Sequence, residues 1–389
     1  MIRNITVGID VGTHATRVVV SEWQKGERSP HIIGTGQAVS RGLRHGYIVD
    51  VFAAAESIKQ AAREAEKNAN IKIRRAYISA GGISLHSEIA LGSAIISKAD
   101  SEVTTLDITK AIGESEENLK LINKKVVYSI PLGYKLDGKE IFGKAEGMHG
   151  VKLEVKTLFV TCLEQHLDDL VTAVTEAGIE VLDIIASPLA SGDIVLSERQ
   201  KTAGCLLVDI GSETVSACIF ENGNPIAFHV FSIGGSDITN DIALGLRIPL
   251  EEAEGIKIGS IMNLHPKKKL EEIIEARLSD IFELIDKFLK KNGRSALLPA
   301  GVVLIGGSAH LPGIDDLSRV LLRLPSKVGT ATNYQQVKSR VKDTAWYVAL
   351  GLGTLEKGGY SQGQDEDTFG RFFKSIGSFF KSIGKQLLP

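Results

Sequence analysis

Two segments of the chain share one pattern of hydrophobic and polar positions. Residues 5–20 read ITVGIDVGTHATRVVV, and residues 205–220 read CLLVDIGSETVSACIF. In each, an apolar β-rich run ends in Asp-x-Gly-Ser/Thr, and a polar turn leads to a second β-branched run, which predicts a β-hairpin. A helical pattern follows each hairpin, at 51–68 in the first case and at 238–246 and 250–259 in the second. We therefore expect an internal duplication of one α/β unit.

The region between the two units follows a less regular pattern. Its strand-like and helical stretches lie at 86–97, 105–121, 125–136 and 150–162. The first unit resumes beyond them, with an amphipathic helix at 164–177 and a strand at 179–185. A structureless loop of this length is uncommon inside a compact domain. We therefore expect an inserted α+β subdomain.

The last part of the chain combines a short apolar strand with glycine. Residues 301–305 predict a buried strand, and the glycine-rich stretch VVLIGGSAHLPG overlaps it. An apolar helix is expected at 344–355. From Gly358 the sequence GGYSQGQDEDT has the composition of a linker.

Composition fits a globular protein of two or more domains, with 389 residues, 43% hydrophobic and 24% charged. The net charge of −2 and the absence of a basic stripe interleaved with aromatic residues argue against nucleic acid as a partner. The three cysteines, Cys162, Cys205 and Cys218, are scattered and lack metal-ligand spacing, so buried reduced thiols are expected. The sequence shows no signal-peptide pattern and no run of about 20 apolar residues, which predicts a cytosolic body.

The two Asp-x-Gly turns have the chemistry of a polyphosphate site. A tight turn presents backbone N–H groups and a hydroxyl to phosphate oxygens, and glycine allows their close approach. The acids, Asp10 and Asp209, would hold a hydrated Mg²⁺, which prefers one or two carboxylates together with water and phosphate oxygens. Gly306, Gly307 and Ser308 follow the late strand and would approach the nucleoside.

These motifs resemble those of a known superfamily. Residues 6–20, 205–220 and 302–317 are similar to the phosphate-1, phosphate-2 and adenosine motifs of the actin, heat-shock chaperone and sugar-kinase ATPases. Within it the chain most resembles FtsA, the bacterial cell-division actin homologue, over nearly its whole length. The resemblance implies an α/β protein with the actin-like ATPase fold: two duplicated lobes around a nucleotide cleft, the FtsA-type 1C subdomain inserted in the first lobe, and a C-terminal amphipathic helix.

The resemblance also implies a domain division and a set of residues that contact ATP and Mg²⁺. The expected units are the first lobe (1–83 and 161–192), the inserted 1C subdomain (84–160), the second lobe (193–344, with its smaller part at about 235–300), a closing helix (345–358), a linker (359–368) and a membrane-targeting helix (369–389). The expected phosphate contacts are Asp10, Gly12, Thr13, His14, Arg17, Asp209, Gly211, Ser212, Glu213 and Thr214. The expected nucleoside contacts are Glu254, Lys257, Gly306, Gly307, Ser308 and Leu311, and the metal contacts, mostly through water, are Asp10 and Asp209.

The chain departs from the FtsA pattern in both phosphate turns. Phosphate 2 commonly reads Asp-Ile-Gly-Gly-Gly-Thr, whereas Ser212 and Glu213 stand here at the second and third glycines. Since an acid repels phosphate, the side chain of Glu213 is expected to point away. His14 replaces a small hydroxyl residue and is expected to be a solvent-facing turn residue. No catalytic residue is identified, Asp183 and Ser187 are only candidates, and we expect at most slow ATPase activity.

The last residues, 369–389, contain the phrase FFKSIG twice, one heptad apart. On a helical wheel of about 100° per residue one arc about 120° wide is apolar and the opposite side is basic. The apolar arc holds Phe369, Phe372, Phe373, Ile376, Phe379, Phe380, Ile383 and Leu387, and the basic side holds Arg371, Lys374, Lys381 and Lys385. A basic face, an aromatic face and no acids predict a helix that binds anionic membrane surfaces reversibly. A helix docked on the protein's own core or in a coiled coil is the alternative.

Three functions are compatible with these features. The resemblance implies an ATP-binding adaptor on the cytoplasmic side of the cell membrane at the division site, which anchors FtsZ through its C-terminal peptide, contacts other division proteins and assembles into filaments through the inserted subdomain. The first alternative is an adaptor of type IV pilus assembly, similar to PilM, but it would not need the amphipathic tail. The second is a small-molecule kinase, but no carboxylate base stands out in the sequence.

Overall fold

The computed structural model describes residues 4–27, 29–262, 266–331 and 339–355. The first lobe is built on a five-stranded sheet in the order β11–β6–β1–β2–β3. Its strands are β1 (Asn4–Val11), β2 (Ala15–Trp23), β3 (His31–Val39), β6 (Arg75–Ala80) and β11 (Glu180–Ala186), and a small hairpin of β4 (Leu43–Arg44) and β5 (Tyr47–Ile48) lies beside it. The pairs β1–β6 and β6–β11 are parallel, whereas the predicted hairpin β1–β2 is antiparallel.

Helices pack against this sheet, and glycines on β3 allow one of them to approach closely. Helix α1 (Val51–Ala69) starts at Asp50, whose side chain accepts the N–H of Ala53. It packs closely on β3, where a Cβ at Gly36 would lie 2.0 Å from the carbonyl oxygen of Ala61. The other helices of the lobe are α3 (Glu164–Glu176), α4 (Ser187–Val195) and α10 (Tyr347–Gly353).

The second lobe repeats the hairpin, and its five strands form one part of a larger sheet. These strands are β12 (Cys205–Ile210), β13 (Val215–Glu221), β14 (Asn224–Phe231), β15 (Val302–Ile305) and β16 (Ser326–Val328). Its helices are α5 (Glu198–Ala203), α6 (Gly235–Leu246), α7 (Leu250–Lys257), α8 (Lys267–Lys291) and α9 (Ile314–Leu322). The hairpin β12–β13 is antiparallel and β15 lies parallel to β12, so the predicted glycine-rich stretch leaves its strand beside the second Asp-x-Gly turn.

The region between the hairpins forms the predicted α+β insertion. It consists of β7 (His86–Ile95), α2 (Thr105–Glu117), β8 (Lys124–Leu136), β9 (Lys139–Ile141) and β10 (Lys152–Leu163). Helix α2 packs on these strands around a hydrophobic core of its own. One bridge, His229 to His86, joins the insertion to β14, so that a nine-stranded sheet runs through the second lobe and the insertion.

The predicted elements are found close to their expected places, but several observed elements have no counterpart among the sequence predictions. These include β6, α4, α5 and α8. The apolar helix expected at 344–355 is divided into a 3-10 turn, Thr344–Trp346, and α10. The duplicated hairpins and the α+β insertion are present as the sequence predicts, whereas the expected linker and C-terminal helix lie outside the described residues.

Candidate functional site

A cavity of about 590 Å³ lies between the two lobes, where both predicted turns meet. It is lined by the β1–β2 turn, the β12–β13 turn, the N-terminal end of α6, helix α7 and the segment that follows β15. All the predicted phosphate and nucleoside residues line it except Glu213. The structure therefore brings together residues from positions 10 to 311 of the chain in one cleft.

The second phosphate turn is held in place by the start of α6. The backbone N–H groups of Gly235 and Ser236 donate to the carbonyl oxygens of Gly211 and Ser212, at 2.9 and 2.7 Å. The hydroxyls of Ser212 and Ser236 are 2.7 Å apart. Because the N-terminus of a helix carries partial positive charge, this end of α6 faces the cavity with the polarity that suits an anion.

Asp10 and Asp209 end the two equivalent strands and face the same cavity. Burial raises the pKa of Asp209 to about 7; the charge of Asp10 adds to this, and that of Arg17 opposes it. Burial also raises the pKa of Asp10, although the Ser79 hydroxyl donates to its Oδ1 at 2.7 Å and Arg17 lies near. Two carboxylates that resist ionisation side by side form an environment that a cation would stabilise.

The same pair fits a hydrated Mg²⁺. Magnesium is bound in proteins by one or two carboxylates and keeps several waters, which suits the space around Asp10 and Asp209. The described residues contain no cluster of three or more metal-ligating side chains, so a fully protein-coordinated metal is not found in this part of the chain. Arg17 has a buried Nε without a hydrogen-bond partner among the described residues, which suits an anion beside the cation.

The side of the cavity where the sequence predicts nucleoside contacts is built by α6 and α7. Lys257 is nearly buried, and its Nζ donates to the Gly235 carbonyl oxygen at 2.9 Å and contacts Thr239 Oγ1 at 2.7 Å. Its ion pair with Glu254 is 2.7 Å long and lowers the pKa of that acid, whose burial acts in the opposite direction. Across from them Gly306 has a φ of +93°, and a Cβ there would lie 2.3 Å from Asp209 Oδ1. The glycine is therefore required beside the second acid.

Several residues that line the cavity were not predicted. They are Val11, Gly46, Ser79, Gly81, Gly82, Ser216, Gly235, Ser236, Ile258, His310, Asp343, Thr344, Ala345 and Val348. Ser79 ends β6, and its contact with Asp10 spans 69 residues, so no local pattern could indicate it. The sequence feature that most nearly indicates these lining residues is Gly81–Gly82, a glycine pair directly after a strand.

The two candidate catalytic residues are placed differently. Ser187 lines the cavity and donates its hydroxyl to the carbonyl oxygen of Ala80 at 3.0 Å. Asp183 is not among the lining residues, and it accepts the N–H of Ile184. Burial raises the pKa of Asp183 to about 6.

Glu213, one of the expected phosphate contacts, is not among the residues that line the cavity. Its carboxylate accepts the backbone N–H of His45 in the β4–β5 turn, at 2.6 Å. His14, in contrast, lines the cavity. The roles of both residues toward a ligand stay predictions.

Other predictions concern the remainder of the chain. All three cysteines are free and buried, as expected, and burial raises the pKa of Cys162 to about 11 and that of Cys205 to about 12. None of the helices in the described ranges combines the length and apolar character needed to cross a bilayer. The twelve predicted membrane-binding residues of 369–389 lie outside the described residues.

Comparison with solved structures identifies the fold. The PilM–PilN type IV pilus biogenesis complex includes a chain with a TM-score of 0.67 and 18% identity, with coverage of 90% of this chain and 97% of that one. The ethanolamine utilization protein EutJ of Carboxydothermus hydrogenoformans gives 0.55 at 16% identity, covering 91% and 90%. MreB5 of Spiroplasma citri bound to ADP gives 0.51 at 15%, covering 90% and 94%. At these identities the likeness shows the actin-like ATPase fold alone.

Sequence comparison gives the family. The family model for the cell division protein FtsA matches residues 206–351, and the model for the SHS2 domain inserted in FtsA matches residues 82–161. FtsA of Bacillus subtilis is 31% identical over 368 residues, with coverage of 89% of this chain and 82% of the relative. FtsA of Pseudomonas aeruginosa is 30% identical, with coverage of 89% and 88%. The chain therefore belongs to the FtsA family of bacterial cell division proteins.

Proposed function

We propose that the cleft binds ATP with Mg²⁺. The observation that carries this proposal is the meeting of two duplicated Asp-x-Gly turns, one from each lobe, in one cavity of about 590 Å³. The N–H groups and hydroxyls of Thr13, Ser212 and Thr214 would contact the phosphates, and Asp10 and Asp209 would hold the ion mostly through water. When bound, Mg²⁺ would neutralise phosphate charge. Glu254 and Lys257 would contact the nucleoside.

In this proposal ATP acts mainly as a conformational ligand, with at most slow hydrolysis. A general base must reach the attacking water within hydrogen-bond distance, directly or through one water. Asp183 does not line the cavity, and Ser187 donates to a backbone carbonyl, so neither supplies an obvious base. Bound nucleotide would instead hold the two lobes together, since it contacts both.

The protein would be a peripheral adaptor of the division machinery at the cytoplasmic face of the membrane. Family membership supports the division role. The repeated FFKSIG supports the tether, because two copies a heptad apart double the apolar face without changing its direction. Each basic residue near an anionic leaflet contributes about 1 kcal/mol, so the four of the tail would contribute about 4 kcal/mol before screening by salt.

The C-terminal peptide of FtsZ would dock on the part of the second lobe around 235–300, as the family resemblance implies. This part presents exposed apolar side chains at Leu244, Ile261 and Met262, and it also carries the exposed Lys267 and Lys268. Apolar anchors with basic neighbours suit a short peptide that carries both apolar and acidic groups. Self-assembly would use the inserted subdomain, whose exposed apolar residues include Phe142 and Val151.

Calorimetric titration with ATP, with and without Mg²⁺, tests the nucleotide site. We expect saturable binding with one nucleotide per chain, strengthened by the metal. The variant Gly306→Ala should bind nucleotide more weakly, because its Cβ would displace the Asp209 carboxylate. No binding by the intact protein would remove the proposal.

Flotation with vesicles that contain anionic lipid tests the tether. The full chain should float, and a chain truncated after Gly358 should not. Two double variants separate the apolar from the electrostatic contribution to membrane binding. Phe373→Ser with Phe380→Ser should abolish flotation. Lys374→Gln with Lys381→Gln should weaken flotation, most of all with vesicles of low anionic lipid content. Adding the FtsZ C-terminal peptide to the same assay tests recruitment, and equal flotation of the truncated chain would contradict the tether.

A further inference from the structure

The turn between β4 and β5 has an unusual backbone. Its two residues, His45 and Gly46, have φ values of +49° and +79°, as in the mirror-image turns that close two-residue hairpins. Histidine tolerates the left-handed region better than most residues do. A Cβ at Gly46 would lie 2.3 Å from the Cα of Gly82, so the turn is pressed against the chain that follows β6. The backbone of this turn is therefore held in one place.

This one turn contacts both phosphate hairpins. On the first lobe, the N–H of Gly46 donates to Thr13 Oγ1 at 3.1 Å, and the carbonyl oxygen of His45 accepts the N–H of Ile83 at 3.3 Å. On the second lobe, the N–H of His45 donates to Glu213 Oε2 at 2.6 Å. The ring Nδ1 of His45 lies 3.2 Å from the Glu213 carbonyl oxygen. The contact with Glu213 therefore joins the two lobes.

The chemistry of Thr13 couples this contact to the cavity. Its Oγ1 accepts a hydrogen bond from Gly46, which leaves its own O–H to donate toward a phosphate oxygen in the cavity it lines. A ligand that fixes Thr13 therefore also fixes the β4–β5 turn. Through its hydrogen bond to the Glu213 carboxylate, the β4–β5 turn also restrains the second Asp-x-Gly hairpin. A glycine at position 213, common in the FtsA motif, would have no carboxylate with which to make this contact.

We propose that the His45–Glu213 contact is an interlobe latch that keeps the cleft closed over bound nucleotide and slows its release. The latch rests on the proposed binding of ATP, since it regulates that site. A charge-assisted hydrogen bond between two partly buried groups is stronger than an exposed ion pair. The carboxylate is 30% exposed and the imidazole 35%. Both groups are therefore exposed enough to solvent for the contact to break during nucleotide exchange.

The test compares two variants that make the same change of charge. Glu213→Gln keeps an acceptor oxygen for the His45 N–H, whereas Glu213→Ala removes it. Both remove the negative charge that would repel phosphate, so a purely electrostatic effect of Glu213 changes them equally. The measurement is the release rate of a fluorescent ATP analogue, with Mg²⁺, after a chase with unlabelled ATP. We expect release from Glu213→Ala to be about 3- to 10-fold faster than from Glu213→Gln, as the loss of one hydrogen bond implies.

Hydrogen exchange and a matched control complete the test. The backbone N–H of His45 should exchange faster in Glu213→Ala than in the other proteins. Asp137→Ala is the control, because the Asp137 carboxylate also accepts backbone N–H groups, those of Val151 and Lys152, but within the inserted subdomain. Its release rate should equal that of the unaltered protein.

The outcomes separate the latch from the nucleotide site. Equal release from Glu213→Ala and Glu213→Gln, in an unaltered protein that binds the analogue, would overturn the latch and leave the site. An unaltered protein that binds no analogue would overturn both.

Discussion

At the scale of single residues, burial disfavours the ionised forms of the two carboxyl groups in the cleft, Asp10 and Asp209. Burial raises the pKa of Asp209 to about 7, above the ordinary value of 3.8. An acid with a raised folded-state pKa binds more protons in the folded chain than in the unfolded one, so it makes the free energy of unfolding fall as pH rises from about 4 to about 7. Carboxyl groups whose pKa is raised in this way are expected at a site that binds a cation.

The variant Asp209→Asn should therefore stabilise the nucleotide-free protein at pH 8. We expect the free energy of unfolding to rise by about 1–2 kcal/mol, less than the full pKa shift implies because the carboxylate is partly open to solvent in the cavity. Urea denaturation should show this gain shrinking as pH falls toward 4, and the stabilisation by ATP with Mg²⁺ should be lost. The exposed Asp100→Asn is the control. Equal stability at pH 8 would contradict this account of Asp209.

At the scale of elements, the sequence predicted the helices, strands and turns that depend on local residue patterns. The hairpins, α1 and α3 follow from apolar periodicity, and the Asp-x-Gly motifs predicted the two turns that meet in the cleft. Helix α8 was predictable too, because its buried residues Ile274, Leu278 and Ile281 recur at helical spacing. The contact of Ser79 with Asp10 and the turn that holds Glu213 were not, because each joins segments far apart in the chain. Such contacts leave no local pattern.

One nearly buried lysine of α7, Lys257, makes hydrogen bonds to α6. Replacing Lys257 by Met keeps most of the apolar stem but removes the donor to the Gly235 carbonyl and to Thr239. We expect a loss of about 1–3 kcal/mol of stability, because hydrogen bonds from a charged donor are lost and the Glu254 carboxylate loses its ion-pair partner, and we expect weaker nucleotide binding. Lys267→Met, on an exposed side chain of α8, should change neither quantity. Chemical denaturation and calorimetry measure the two effects, and an unchanged free energy of unfolding would contradict the role given to Lys257.

At the scale of the whole molecule, the insertion shares the sheet of the second lobe through a narrow seam. His229 and His86 form the bridge, and their rings stack with centroids 5.7 Å apart. Burial lowers the pKa of both histidines; Lys124 adds to the effect at His86, and His86 and Lys291 add to it at His229. A base with a lowered folded-state pKa binds fewer protons than in the unfolded chain. Its contribution therefore weakens stability as pH falls below about 6.5.

Ser87 closes this seam with two hydrogen bonds to one residue. Its Oγ accepts the N–H of Phe228 at 2.9 Å and lies 3.0 Å from the Phe228 carbonyl oxygen. Ser87→Ala should therefore loosen the insertion from the second lobe, and the Phe228 amide should exchange with solvent about 5- to 100-fold faster, as the loss of about 1–3 kcal/mol implies. The same amide should exchange faster in the unaltered protein at pH 5.5 than at pH 7.5, after correction for intrinsic rates. Ser93→Ala, farther along β7, should leave it unchanged, and an equal effect of both variants would mean that the seam is not held by Ser87.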